Sequence, residues 1–247
     1  KFSLKLRKLP VLYHYPSTAK VDKIIPKNKL YQRGSANHRI ERLFVEQVES
    51  IRWAYKLSPH TINLNDSETI KEIQIFSIVS RVERLDTEVL QFIDKLIPSP
   101  IIFEILFGDK IKVIANYKRQ SQADSQKFVL GKYYATDWQD LTQREDLPIV
   151  FGIADLYEYF IEQLLLSINK ASPDVVLIPN IKANLSTTHQ KIASIEEKIA
   201  HTEKMALLTK QIYELQKRMY KEKQFNRQVE MNLQLQTLQK QLKDLTR

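Results

Sequence analysis

The chain has 247 residues, 43% hydrophobic and 27% charged, which allows one medium domain with a real core plus a helical extension. It contains no cysteine, which excludes disulfides and thiolate zinc sites and fits a reducing cytoplasm, and no run of about eighteen apolar residues, which excludes a spanning helix. The net charge of +9 is unevenly spread: residues 1–33 carry nine Lys and Arg against the single acid Asp22, residues 34–181 carry sixteen against twenty-one acids, and residues 182–247 carry thirteen against seven.

An acidic body therefore lies between two basic segments. Such segregation suits contact with a polyanion or an acidic protein face, and it also serves solubility alone. The N-terminal Lys1-Phe2-Ser3-Leu4-Lys5 is basic, but no apolar stretch with a small-residue cleavage site follows it, so no secretory signal is expected.

In chain order, Leu9 to Pro16 is pinned by Pro10 and Pro16 and predicts an extended or turning path. Val21 to Lys29 predicts a short strand or extended arm broken at Pro26. Asn37 predicts a helix cap, and Ile40, Leu43, Phe44, Val48, Ile51 and Tyr55 follow a 3.6-residue period as far as Ser58-Pro59. Glu72 to Val82 predicts a strand. Asp86 predicts the cap of a helix carrying Val89, Leu90, Ile93 and Ile97, stopped by Pro98 and Pro100. Ile101 to Phe107 and Ile111 to Ala115 flank Gly108-Asp109 and predict a hairpin. Lys127 to Ala135 predicts a third strand of that meander, and Gly152 to Asn169 an amphipathic helix. The order predicts an α+β fold, an antiparallel or mixed sheet with helices packed on one face.

From Leu185 to Arg247 there is no proline or glycine, and aliphatic residues recur three and four apart among Lys, Glu and Gln. This predicts a coiled-coil arm, about 90 Å long if continuous, which requires a second helix to bury its seam. Met205, Leu208, Ile212, Leu215 and Met219 form one seam, and Met231, Leu235, Leu238, Leu242 and Leu245 a second one out of phase with it. Either the helix stutters near residues 221–232, or the chain reverses and the two seams face each other as an αα-hairpin. The expected organisation is a basic arm over residues 1–34, an α+β body over 35–180 and a coiled coil over 185–247.

The five histidines, His14, His38, His60, His189 and His201, have no paired spacing, so no metal site is expected. Only four glycines occur, so no phosphate-cradling loop and no cofactor are expected.

Four elements carry a resemblance. Pro26 to Tyr31 reads Pro-Lys-Asn-Lys-Leu-Tyr, Tyr55 to Leu64 reads Tyr-Lys-Leu-Ser-Pro-His-Thr-Ile-Asn-Leu, Tyr117 to Arg119 reads Tyr-Lys-Arg, and Lys221 to Asn232 reads Lys-Glu-Lys-Gln-Phe-Asn-Arg-Gln-Val-Glu-Met-Asn. With these the chain resembles the bacterial domain of unknown function 4391 family from about residue 13 to its end. The resemblance implies a companion of helicases and DNA methyltransferases in restriction-like or antiphage clusters, with no established activity.

Each element has competing readings. On an extended segment Lys27 and Lys29 alternate and point to one side, where with Arg33 they suit a phosphate backbone; otherwise they are solvated positions on a docked arm. Tyr117, Lys118 and Arg119 suit a second nucleic-acid contact, with the ring stacking and the cations neutralising, unless Tyr117 is simply core. Lys221 to Asn232 suits a capped helix junction, a polar surface for nucleic acid or an interface for a partner helix; the interface is favoured because Phe225, Val229 and Met231 offer anchors and Glu222, Asn226 and Asn232 directional hydrogen bonds. An enzymatic alternative, a metal-dependent nuclease, rests on Glu104 or Glu72, although neither lies in an acid-x-Lys triplet. The function expected is a non-catalytic accessory or adaptor subunit. It assembles with itself or with a helicase or methyltransferase partner through the coiled coil, without a membrane, and basic segments contact DNA.

Overall fold

The acidic body is built on a mixed sheet. A computed structural model describes residues 12–121, 128–168 and 194–245, which fall into two units: one holds the described residues up to 168, the other residues 194–245. In the first unit, β1 (Tyr13–His14) pairs with β9 (Glu145–Asp146) apart from the main sheet. That sheet orders β2 (Lys20–Ile24), β3 (Val48–Leu57), β4 (Ile73–Ser80), β5 (Ile101–Phe107), β6 (Lys110–Gln120) and β7 (Phe128–Ala135), and the short β8 (Gln139–Asp140) also pairs with β6. The β4–β5 pair is parallel, the crossover being α4 (Thr87–Leu96); its other neighbours are antiparallel. The hairpin turn sits at Gly108 with φ +60°, a conformation that glycine adopts without a Cβ clash.

Between β2 and β3 the chain forms two helices, α1 (Lys27–Gly34) and α2 (His38–Gln47). The expected strand before Pro26 is β2 and the chain breaks at the proline, but Lys27 to Lys29 beyond it are helical rather than extended. Proline's fixed φ suits the start of a helix, and α1 begins directly after it. Leu30 of α1 is buried in the same core as Leu43 and Phe44 of α2. The Asn37 cap forms, its side chain accepting from the Ile40 N–H at 3.0 Å.

That helix ends at Gln47, ten residues earlier than its apparent period, and Val48, Ile51 and Tyr55 lie on β3. Two register irregularities, between Val48 and Ser50 and between Trp53 and Tyr55, space the apolar positions of this strand three and four apart and so imitate a helix.

One face of the sheet carries α1, α2 and α4 over a core of Val48, Ile51, Phe76, Ile78, Phe103 and Ile105 with Val89, Leu90 and Ile93. Helix α5 (Ile153–Ile168) packs beside β6 and β7 on the opposite face, since Lys118 reaches α4 whereas its neighbour Tyr117 stacks on Tyr157 of α5. Helices therefore cover both faces rather than one. The single-turn α3 (Pro59–Ile62) follows β3; the Ser58 N–H donates to Thr61 Oγ1 at 2.8 Å, and Asn63 ends the turn with φ +54°.

The second unit is two packed helices, α6 (Ile195–Lys221) and α7 (Phe225–Leu245), not a continuous arm. They are antiparallel, because His201 near the start of α6 meets the Leu245 carbonyl at the end of α7 at 2.8 Å. Ser194 and Glu197 form a reciprocal cap at the α6 N-terminus. Met205, Leu208 and Leu215 of one seam and Leu235 of the other are buried between them, so the two out-of-phase seams face each other. Residues 185–193 and 246–247 of the expected coiled coil, and residues 1–11 of the expected basic arm, lie outside the described residues. Among those described, no helix is long and apolar enough to cross a membrane.

Candidate functional site

Of the six residues suggested for phosphate contact, Lys27, Tyr117 and Lys118 are drawn into the fold and Lys29, Arg33 and Arg119 stay exposed. Lys27 and Lys29 share a helix, so they do not alternate on a strand. The partly buried Lys27 ammonium donates to the carbonyls of Phe44, at 3.0 Å, and of Val48, a second donor to the Phe44 carbonyl that already accepts the Val48 N–H and to the Val48 carbonyl that Arg81 Nε reaches at 3.3 Å. Burial and the nearby Arg81 hold its pKa below the ordinary lysine value. Lys29 and Arg33, four apart on α1, stay exposed.

Tyr117, Lys118 and Arg119 do not form one patch. They alternate along β6: Arg119 is exposed, Tyr117 stacks on Tyr157 with ring centres 5.8 Å apart, and Lys118 is only 1% exposed. The Lys118 ammonium donates to the carbonyls of Asp94 (2.8 Å), Ile97 (2.7 Å) and Ser99 (3.2 Å), which follow one another at and beyond the end of α4. It also lies 2.9 Å from Asp94 Oδ1. Asp94 Oδ2 accepts from Asn116 Nδ2 at 2.6 Å and from the Tyr133 hydroxyl at 2.5 Å. Burial pushes the Asp94 carboxyl up, and pushes the Lys118 ammonium down, even though each favours the charged form of the other. No phosphate reaches Lys118 without opening the fold.

The same place holds a ladder irregularity between Asn116 and Lys118, where β7 contributes an extra residue near Gly131. The Tyr157 hydroxyl fills the gap, accepting the Lys118 N–H at 2.7 Å and donating to the Asn116 carbonyl at 2.9 Å. A Cβ at Gly131 would stand 2.9 Å from the Tyr117 carbonyl oxygen, so the backbones approach there as only glycine allows.

The candidate nuclease acids sit apart. Glu104 lies in mid-β5, 4% exposed, and receives both arms of Arg144, Nη1 to Oε1 at 2.9 Å and Nη2 to Oε2 at 2.7 Å. Arg144 also donates to the Tyr13 carbonyl at 2.9 Å, and its hydrogen bonds to Glu104 push its pKa up. Burial and the neighbouring Glu104 raise the Tyr15 hydroxyl well above the usual tyrosine range. Glu72 precedes β4, accepts from Gln74 Nε2 at 2.7 Å and Ser99 Oγ at 3.1 Å, and lies 3.7 Å from Lys56. Glu104 is opposite Ser77, five residues from Glu72 along β4, about 16 Å of strand. The structure does not bring the two acids together, and among the described residues no group of three His, Cys, Asp or Glu is placed to hold a metal ion.

The 221–232 segment spans the end of α6, the turn at residues 222–224 and the first two turns of α7. Glu222 caps that turn: its carboxylate accepts the N–H groups of Lys223 (2.9 Å) and Gln224 (3.0 Å), which hold it below the usual carboxylate range. Its own carbonyl accepts from Gln228 Nε2 at 2.7 Å. Met231 is half-buried, while Asn226 and Asn232 are exposed. Phe225 (75% exposed) and Val229 (43%) open a row that continues to Leu233 (60%). At 3.6 residues per turn this row points about 150° away from the seam that α7 turns toward α6. Leu233 is not among the residues that the sequence singles out, although its i, i+4, i+8 spacing from Phe225, outside the Met231 seam, is readable there. Tyr213 and Tyr220 of α6, 64% and 93% exposed, are likewise not singled out by the sequence pattern.

The family described as Domain of unknown function (DUF4391) matches residues 14–242. No curated protein and no solved structure matches the chain.

Proposed function

The chain belongs to the Domain of unknown function (DUF4391) family, a membership that assigns no chemistry, and we propose that it is a non-catalytic assembly subunit whose α6–α7 pair docks a helix of a partner protein. The observation that carries this reading is the outward row Phe225, Val229 and Leu233. Three large apolar side chains on consecutive turns, spanning about 12 Å, match the anchor spacing by which one amphipathic helix receives another. Such a row is unneeded by the α6–α7 seam, and isolated in water it adds nothing to the pair's stability.

The buried acids support the non-catalytic part, because Asp94 and Glu104 each already face a cation. The partner class is the one that the resemblance implies, a helicase or DNA methyltransferase subunit of a restriction-like or antiphage system.

The test is co-purification of the full chain with a helicase or DNA methyltransferase subunit from its native host, comparing wild type with Phe225→Ser/Val229→Asn/Leu233→Gln. Truncating buried interface anchors costs about 2 kcal/mol or more each, so the triple variant loses the complex while keeping its helical circular dichroism. A stoichiometric complex that survives the triple variant refutes the docking face. Light scattering separates the alternative occupant: a wild-type dimer that the triple variant converts to monomer assigns the row to a second copy.

A further inference from the structure

Helix α6 carries a second exposed face, distinct from the Phe225 row. Tyr213 and Tyr220 are seven residues apart and so lie within about 20° of one another around the helix, about 10 Å apart along it. Lys210, Lys217 and Lys221 share that side, each ring having a lysine three or four residues away, the spacing at which helical side chains are neighbours. All five are exposed, and among the described residues neither ring has a stacking or hydrogen-bond partner. The face lies roughly 120° from the seam, so packing of α7 does not cover it.

Charge along α6 is segregated in the same way. Residues 195–203 hold Glu196, Glu197 and Glu203 against Lys198, whereas residues 204–223 hold six Lys and Arg against Glu214 and Glu222. Arg218 and Lys221 in the last turn also serve the helix dipole, but Lys210 and Lys217 lie upstream of that turn. Among the described residues, only Lys210 of the five has an acidic partner, Glu214 at 3.9 Å, with the lysine side chain 73% exposed.

We propose that Tyr213, Tyr220, Lys210, Lys217 and Lys221 form a contact for single-stranded nucleic acid, the rings stacking on unpaired bases and the ammonium groups neutralising the strand's phosphates. Protein interfaces are depleted in lysine at their centres, whereas strand-binding surfaces combine aromatic platforms with cations. Paired bases in a duplex do not offer their faces, so single strands bind in preference. The site is separate in residues and in chemistry from the neutral row on α7, and it stands or falls independently of partner docking.

The test uses the full chain and a fluorescein-labelled oligothymidylate of about 20 nucleotides, with a blunt duplex of equal length as comparison, by anisotropy at about 50 and 200 mM salt. Tyr213→Ala and Tyr220→Ala each weaken single-strand binding at least about fivefold, and Tyr220→Phe, which keeps the ring, does not. Lys217→Gln/Lys221→Gln lowers the slope of log affinity against log salt by about 1.4, because each phosphate that a lysine ceases to neutralise takes about 0.7 from it. These exposed substitutions leave circular dichroism unchanged. No binding at the lower salt, equal binding of duplex, or affinity indifferent to both alanine variants overturns the proposal. Loss of a protein complex by the alanine variants, without strand binding, overturns it in favour of a protein contact.

Discussion

Replacing Lys118 by methionine separates a structural lysine from a nucleic-acid contact. The ammonium and the Asp94 carboxylate are 1% and 0% exposed, and the lysine also closes three carbonyls at the end of α4. Burial moves both groups toward neutrality, so the pair itself is no net source of stability; what costs free energy is breaking it from one side. Lys118→Met strands a buried carboxylate and should cost about 3–5 kcal/mol. For a unit of this size that is a fall in Tm of roughly 6–20 °C. The two tryptophans, Trp53 and Trp138, both lie in the first unit, so tryptophan fluorescence follows its unfolding without interference from α6 and α7. The double variant Asp94→Asn/Lys118→Met removes the stranded charge yet keeps an acceptor for Tyr133 and Asn116, and should recover much of the loss. A single variant within about 1 kcal/mol of wild type, or a double variant no better than the single one, refutes the argument.

Tyr157→Phe removes the hydroxyl that closes the β6–β7 gap, leaving a buried N–H and carbonyl unmet, and should destabilise the first unit by about 1–3 kcal/mol in urea melts. The hydroxyls of Tyr13, Tyr15, Tyr133 and Tyr157 are all raised above the usual tyrosine value, chiefly by burial. Above pH 10 the unfolded chain therefore releases protons that the fold keeps, stability falls as pH rises, and their phenolate absorption appears only with unfolding. Glu104→Ala leaves Arg144 without its carboxylate and lowers the fluorescence-monitored midpoint; plasmid DNA stays intact with Mg²⁺ or Mn²⁺, and wild-type cleavage abolished in this variant would restore the nuclease reading. Leu215→Ala opens the buried α6–α7 seam at a cost of about 2–5 kcal/mol, seen as reduced helical circular dichroism with unchanged tryptophan fluorescence.

Local signals carried most of the elements. Asn37 and Asp86 cap the helices they announced, Gly108 turns the β5–β6 hairpin, and the phase shift between the Met205 and Met231 seams became a chain reversal. The failures came where tertiary context overrides a local period. Irregularities in β3 put Val48, Ile51 and Tyr55 at helix-like spacing, and the proline at position 26 started a helix instead of preventing one. The candidate site was harder, because a cation's surroundings are not written in its neighbours. Alternation along β6 separates Lys118 from Tyr117 and Arg119, but which side faces inward depends on α4, twenty-odd residues earlier. One clue was present: Asp94 follows Ile93 and lies four residues after Leu90, an acid on the apolar side of a helix, and such an acid calls for a buried cation.

The four elements of family resemblance differ in what the fold does with them, and that difference favours the α6–α7 turn as the working surface. Pro26 to Tyr31 opens α1, and its Lys27 closes the end of α2. Tyr55 to Leu64 ends β3 and forms α3, its Tyr55 ring against Tyr15, its Thr61 tying the turn and its Asn63 reversing it. Tyr117 to Arg119 is the irregular stretch of β6, two of its three side chains taken up by Tyr157 and Asp94. For these three, folding accounts for the notable side chains apart from the exposed Lys29 and Arg119. In Lys221 to Asn232 it accounts for Glu222 and Gln228, which make the turn, and for the half-buried Met231. It does not account for Phe225 or Val229, large apolar groups that a turn of this geometry does not require and that water disfavours. If they serve only the turn, Phe225→Ser with Val229→Asn lowers the stability of the helix pair; if they serve a partner, stability holds and the complex fails to form.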